Sequence, residues 1–324
     1  MFSKIKKSKT LRSVLGAASL FFAGAPMTVE AAPRAPQKVT QTSVHECQSL
    51  ARDYMPLCEQ LEGNVPYCYS DGGSITAGCG VHFKDFKSLE NLSVLRITPK
   101  KGSIISLANK KRLIKMADAD WKAVVTKAQY PEVEKVEIIK LKDCSGKCPK
   151  GSDKVWNQQL MLMPSETLSK MNLTAAEFFA QKAYEFHPNL FQVSPSARFV
   201  VMDLIYNLGY NKYYHSFPKF REAVRTANLQ NMKNECKSKN KRRDTVRECL
   251  INSALLSSQK TTKEDLFQKN RALVLKQNSK LGPMCEKKLW QVLDESASKD
   301  LSWCQKRISL KSFVQNKKES VKKS

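Results

Sequence analysis

The stretch EGNVPYCYSDGGSITAGCG, residues 62–80, constrains the fold of this 324-residue chain more than any other segment. Short β-prone pieces lie on both sides of Asp71-Gly72-Gly73, and this combination is typical of a tight β-hairpin. Two cysteines, Cys68 and Cys79, flank the turn. The segment therefore predicts a glycine-rich hairpin early in the fold.

Helical patterns dominate the rest of the chain. Apolar residues recur at helical spacing from Val44 to Leu61, and Gly63 is a plausible stop, so Glu62 is expected at the last turn of this helix. Further helices are expected over 104–128, 172–186, 197–210 (closed by Gly209), 217–237 and 243–256. The segment 130–165 is interpreted as an irregular inserted loop. Because no βαβ alternation is present, we predict an α+β fold, mostly helical, with a small N-terminal hairpin or sheet.

The two ends of the chain have their own composition. A basic start, an apolar run over 14–25 and small residues up to Ala31 predict a signal peptide over 1–31. A linker over 32–43, a folded domain over 44–255 and a basic helical extension over 256–324 are expected to follow. The mature protein is expected to be exported, either to the periplasm or outside the cell, and to have no membrane span.

The formal net charge of +25 favours encounter with polyanions. For an exported monomer, anionic polymers of the cell envelope are nearer partners than nucleic acid, so nucleic-acid binding is not expected. The four histidines are scattered and show no ligand spacing, and we predict neither a metal nor a cofactor.

The cysteines of the mature part are even in number, which suggests disulfides in an exported chain. They are Cys47, Cys58, Cys68, Cys79, Cys144, Cys148, Cys236, Cys249, Cys285 and Cys304. Loop length alone favours the near neighbours Cys68–Cys79, Cys144–Cys148, Cys236–Cys249, Cys285–Cys304 and Cys47–Cys58. Sequence leaves the connectivity open.

The hairpin segment also carries the groups that hydrolysis of a glycosidic bond requires. Such a reaction needs one carboxyl that is kept protonated by its surroundings and a second that helps deliver water. Glu62, at a helix end, and Asp71, at a turn, can meet this need, and Thr76 can hydrogen-bond a water. Gly78 and Gly80 allow a bulky sugar chain to approach.

This pattern resembles the catalytic signature of phage-type lysozymes, the endolysin and pesticin-like muramidases of glycoside hydrolase family 24. The matching residues are Glu62-Gly63, Tyr69, Asp71 and Thr76-Ala77-Gly78-Cys79-Gly80. The resemblance implies a lysozyme-like fold and a muramidase that cleaves peptidoglycan. It also implies that Glu62 is the general acid and that Asp71 and Thr76 hold the attacking water.

Two further segments are similar to the same family and follow in family order. Tyr206-Asn207-Leu208-Gly209 matches the end of the family's buried central helix, which implies that Asn207 binds saccharide. The segment 241–251 is similar to a basic helix of the family, where Arg242 and Arg243 are candidates for substrate binding or for a solvated face. The predicted substrate-binding residues are Tyr69, Gly80, Asn207 and Arg242.

Two departures from the family pattern keep other functions open. The interval from Asp71 to Thr76 is one residue short, which turns Thr76 to the other face unless the Gly-Gly turn absorbs the change, and Ser74 is then a rival. His82 also comes one position later than the family's histidine. The alternative is a lysozyme-fold protein that binds peptidoglycan without cleaving it.

A third reading starts from the sequence Asp-Cys-Ser-Gly at 143–146, which is similar to the nucleophile motif of cell-wall cysteine peptidases. In such an enzyme Cys144 would attack the substrate, and His187 or His215 would be its base. The motif does not enter an apolar helix, and a second cysteine follows at 148, so a disulfide is favoured over a nucleophile.

Overall fold

The computed structural model describes residues 41–71, 74–82, 86–127, 130–144, 160–257, 264–265, 268, 288–289 and 291–307, all within one compact unit. The fold is mixed α/β and mostly helical, with a small antiparallel sheet. The strands are β1 Val65–Asp71, β2 Ser74–Gly78, β3 Val81–His82, β4 Ser93–Pro99, β5 Val133–Lys140 and β6 Leu160–Leu162. The helices are α1 Gln41–Glu62, α2 Leu107–Lys127, α3 Ser165–Phe186, α4 Pro195–Leu208, α5 Tyr210–Ser216, α6 Pro218–Arg225, α7 Leu229–Glu235, α8 Lys241–Ser257 and α9 over 291–307.

Helix α1 confirms the expected first helix and its stop. Its buried stripe includes Leu50, Tyr54 and Leu57, which recur at helical spacing and pack into the main core. The helix ends at Glu62, and Gly63 takes a positive φ of 78° while its amide donates to the carbonyl of Glu59 at 3.0 Å. The helix begins at Gln41, inside the predicted linker. The rest of that linker and the predicted signal peptide lie outside the described residues.

The sheet has the strand order β3-β2-β1-β6-β4-β5, and the neighbouring strands in this order pair antiparallel. The hairpin prediction is confirmed as β1 and β2. The prediction that 130–165 is irregular is wrong for its two ends, which form β5 and β6. Strand β5 pairs with β4 from Ser93↔Lys140 to Pro99↔Val133. The β-branched residues in VEKVEIIK favour a strand, and β4 supplies the long-range partner.

Two helices frame the candidate site. Helix α4 confirms the expected buried central helix, and Gly209 ends it with a φ of 77°. Helix α3 packs along α1 and also reaches β2. The apolar side chains of α1, α3, α4 and α8 form the main core, which places the ends of α1 and α4 near the β1–β2 hairpin.

Helix α9 lies within the predicted helical extension over 256–324 and contacts the main core. Leu289 and Leu293 belong to the main core with α1 and α4. The carboxylate of Asp300 is fully buried and accepts a hydrogen bond from the amide of Ser196 at 3.0 Å. In the described part of the chain, no helix combines the length and apolar character that a membrane crossing requires.

Candidate active site

Glu62 is the last residue of α1, and its side chain retains 25% of its exposure. Burial raises the pKa of its carboxyl, and the negative charge of Asp203 acts in the same direction. The guanidinium of Arg243 forms an ion pair with Glu62 and opposes this rise by its charge and its hydrogen bond. The environment of Glu62 therefore raises its pKa overall, and the guanidinium of Arg243 stays in contact with its carboxyl group.

A buried ion network lies behind Glu62. Arg243 bridges Glu62 and Asp203, and Asp203 also accepts from Arg247 Nε at 2.6 Å. The hydroxyl of Tyr54 donates to Asp203 Oδ1 at 3.2 Å. Because two arginines share Asp203, that carboxylate offsets part of the positive charge that would otherwise stabilise ionised Glu62.

The sequence prediction did not include Asp203 in the site. Asp203 is the one carboxylate within the apolar segment ARFVVMDLIYNLG. Burying a charged carboxylate is unfavourable unless a cation or hydrogen-bond donor accompanies it, so this residue could have indicated a buried partner. Arg243 and Arg247 stand four residues apart and so share one face of α8, toward α4. Arg243 proves to be a buried member of the site, 3% exposed, and not part of a solvated face.

Arg242, by contrast, does not reach into the site as a free cation. Its Nη2 donates to the carbonyl of Gln60 at 2.7 Å, so the guanidinium holds the last turn of α1. Its charge acts weakly on Glu62, lowering the pKa less than Arg243 does. The position supports the helix end beside the acid, and a substrate-binding role remains a prediction.

The register of the hairpin determines which side Thr76 faces. Tyr69 pairs with Thr76, and Asp71 pairs with Ser74. Because directly opposed residues share a face and alternate residues repeat it, Thr76 lies on the same face as Tyr69 and Asp71. The short interval is therefore compatible with the expected grouping. Thr76 is nonetheless fully buried, so its hydroxyl does not reach bulk solvent.

Tyr69 connects the two carboxylates electrostatically. Burial, and after it the negative charges of Asp71 and Glu62, raise the pKa of its hydroxyl to about 12. Both carboxylates thus act on one phenol, although one belongs to a helix end and the other to an exposed strand end. Glu62 and Asp71 therefore both lie close enough to Tyr69 for their charges to act on its hydroxyl.

Gly78 and Gly80, the two glycines after Thr76, differ in the space that surrounds them. A Cβ on Gly78 would lie 2.1 Å from Asn172 Oδ1, so this glycine permits close packing of α3 against the hairpin, and not the approach of a sugar chain. The same Asn172 oxygen accepts from the amide of Cys79 at 3.0 Å. Gly80 has a φ of 81° and open space where a side chain would be, so it alone leaves room beside the site.

Asn207 is half-buried in the last turn of α4. It follows Asp203 by four residues, so it lies on the helix face that carries the ion network. Its neighbour Tyr206 donates its hydroxyl to the carbonyl of Cys79 at 3.1 Å and so binds α4 to the end of the hairpin. This placement is compatible with the predicted saccharide contact at Asn207.

The described contacts of Cys144 do not include a histidine. Its thiol lies against Cys68, and hydrogen bonding from that thiol lowers the pKa of Cys144. His187 is buried and bonds the hydroxyl of Tyr213 at 2.7 Å, and burial lowers its pKa to about 3. Among the described residues, no cluster of three or more His, Cys, Asp or Glu side chains could hold a metal ion.

Comparison of this chain with protein-family models, with curated proteins and with solved structures found no match. The lysozyme resemblance therefore remains a prediction that depends on the motif, and the function has to be argued from the geometry above.

Proposed function

We propose that this protein is an exported muramidase that hydrolyses the β-1,4 bond between N-acetylmuramic acid and N-acetylglucosamine in peptidoglycan. The observation that carries the proposal is the pairing of unlike carboxyls. Glu62 is largely buried with a raised pKa, Asp71 is exposed at the end of β1, and both act on Tyr69. One protonated and one solvated carboxyl is the arrangement that glycosidases use.

In this mechanism Glu62 donates its proton to the glycosidic oxygen as the bond to the anomeric carbon breaks. Asp71 accepts a proton from a water that attacks that carbon from the opposite face, which is the inverting route. Thr76 lies on the same hairpin face as Asp71 but is fully buried, so the proposal gives it a role in holding the hairpin strand that carries Asp71. Once Glu62 has lost its proton, Arg243 stabilises the carboxylate through the existing ion pair.

The formal charge of +25 supports a polyanionic target such as the bacterial cell wall. Export is part of the proposal and depends on the predicted signal peptide over 1–31. Asn207 and Gly80, at the edge of the hairpin, are the proposed saccharide contacts.

The test compares release of reducing ends from purified peptidoglycan by the wild type, by Glu62→Gln and by Glu59→Gln. Glu59 is a matched control because it lies on the last turns of α1 and its carboxylate accepts a hydrogen bond from Asn64 Nδ2 at 3.2 Å. Loss of the general acid should lower the rate roughly 10²–10⁴-fold. The control should stay near wild type. Equal rates for Glu62→Gln and wild type would overturn the proposal.

A second candidate is a peptidoglycan-binding protein without turnover. The full burial of Thr76 favours it, because this hydroxyl has no access to a solvent water in the structure. Co-sedimentation with peptidoglycan and no new reducing ends, from protein with intact tertiary structure, would support this candidate over the muramidase.

A further inference from the structure

Four buried cysteines meet in two pairs that differ from the pairs favoured by loop length. The thiol of Cys58 hydrogen-bonds with that of Cys79, and the thiol of Cys144 hydrogen-bonds with that of Cys68. Each pair also belongs to a single core cluster. All eight described cysteines are free thiols in the structure, so these are contacts and not bonds.

The first pair spans the candidate active site. Cys58 lies one helical turn before Glu62, and Cys79 lies between the two glycines that end the hairpin. Both are completely buried. The hydroxyl of Tyr206 stands beside them, because it hydrogen-bonds with the thiol of Cys58 and donates to the carbonyl of Cys79 at 3.1 Å. The segment from 58 to 79 contains all three candidate catalytic residues.

The second pair joins two parts of the sheet region. Cys68 lies in β1, and Cys144 follows the short helical turn after β5. Their exposures are 1% and 7%. The thiol of Cys144 also donates to the carbonyl of Lys140 at 3.9 Å. This pair connects the catalytic hairpin to the far edge of the sheet.

Two other described cysteines face backbone carbonyls. The thiol of Cys47 donates to the carbonyl of Ala180 at 3.7 Å, and the thiol of Cys236 donates to that of Lys233 at 3.4 Å. The hydrogen bonds of these two thiols thus go to the backbone, whereas those of the two pairs join one thiol to another.

We propose that Cys58–Cys79 and Cys68–Cys144 are the disulfide-forming pairs of this protein, and that the first bond locks the catalytic hairpin onto the Glu62 end of α1. The assignment of the pairs is independent of the enzymatic activity, while the locking of a catalytic hairpin rests on the proposed function.

The bonds form by thiol–disulfide exchange with a small-molecule disulfide such as oxidised glutathione. One protein thiolate attacks the oxidant's S–S bond and releases one glutathione thiolate, which takes up a proton. The second protein thiolate then attacks the mixed disulfide and releases the other. The two protein thiols are oxidised to one disulfide, and the oxidant is reduced to two thiols. Cys144, whose pKa is lowered by Cys68, is suited to the first attack.

The pairing is tested by mapping. The whole chain is equilibrated in a buffer of reduced and oxidised glutathione, its free thiols are alkylated, and it is digested without reduction for mass spectrometry. Cross-linked peptides that join 58 to 79 and 68 to 144 are expected. Cross-links that join any of these cysteines to another partner, or complete alkylation of all four in folded protein, would overturn the proposal.

The locking role is tested by melting the wild type and the double variant Cys58→Ser/Cys79→Ser with and without a reducing agent. Reduction should lower the melting temperature of the wild type by roughly 5–15 °C. The loss should be clearly smaller in the double variant, which has one bond fewer, whereas a mere packing effect of serine leaves the loss unchanged. An equal loss would overturn the lock. Neither measurement uses hydrolysis, so a failed muramidase assay would leave both readouts intact.

Discussion

Glu62 and Asp71 stand nine residues apart in the chain and occupy opposite environments. Glu62 closes a long helix, is largely buried, and pairs with a buried arginine. Asp71 ends a strand and is exposed. The same chemical group is therefore given two surroundings by two kinds of structure. The buried surroundings of Glu62, called the dry side, are formed by residues that are distant in sequence. The exposed surroundings of Asp71, called the wet side, are formed by a local turn.

This difference teaches that stability and activity should separate along the site. The dry side consists of charges that must satisfy one another, so each change there affects folding as well as chemistry. On the wet side, Asp71 is exposed, and the proposed mechanism gives it a chemical role. Variants on the two sides should consequently fail in different ways.

The largest contrast is expected between Asp203→Asn and Asp71→Asn. Removing the Asp203 charge leaves Arg243 and Arg247 buried without their shared carboxylate, which should cost about 3–5 kcal/mol in the free energy of unfolding. Asp71→Asn should change the melting temperature by less than about 2 °C. It should lower hydrolysis roughly 10²–10⁴-fold.

Urea unfolding and a reducing-end assay measure both quantities on the same preparations. A stability loss at Asp71→Asn as large as that at Asp203→Asn would contradict the division into a dry side and a wet side.

A smaller contrast is expected between the two glycines of the hairpin end. Gly78→Ala adds a Cβ that collides with Asn172 and Met171 at a φ of 60°, so about 3 kcal/mol of stability should be lost. Gly80→Ala meets open space and only the unfavourable φ, so about 1 kcal/mol is expected. Chemical denaturation distinguishes the two, and similar losses would show that packing against α3 does not restrain the hairpin.

The finest effect concerns pH. In the proposed mechanism Glu62 is the general acid and must be protonated before substrate binds, so activity is expected below its raised pKa and should fall as pH rises through that pKa. Arg243 lowers that pKa by charge and hydrogen bond, so Arg243→Gln should move the alkaline limb of kcat/KM to higher pH. Arg243→Lys keeps the charge and should leave the limb closer to its original place.

The pH profile of kcat/KM for the wild type and both variants measures this shift. A limb that stays fixed in Arg243→Gln, or moves to lower pH, would show that another group controls it.

Local signals carried much of the prediction. The apolar spacing of α1, the stop at Gly63, the Asp-Gly-Gly turn and the end of α4 at Gly209 each act within a few residues, and the structure confirms them. Strands β4 and β5 were missed because each is stabilised mainly by the other across a long separation.

The dry side of the site could not be predicted from local sequence patterns, because its contacts also join residues that are distant in the chain. Arg243 and Asp203 are separated by 40 residues, and the Arg242 contact with Gln60 by 182. The local sequence around Arg242 and Arg243 does not indicate which residues they contact, because those contacts depend on how α8 packs in the fold. The cysteine contacts likewise follow from packing and not from loop length.

Helix α9 also affects when the protein can complete its fold. Its hydrogen bond from Ser196 to Asp300 spans 104 residues, and its Leu293, together with Leu289 before the helix, belongs to the core that includes α1. A chain that emerges from its amino terminus leaves the part of the core that contacts Leu289 and Leu293 uncovered until α9 has been synthesised. Contacts over such separations form slowly, and the open core is prone to aggregate meanwhile. The order of synthesis thus delays closure of the main core until α9 is present.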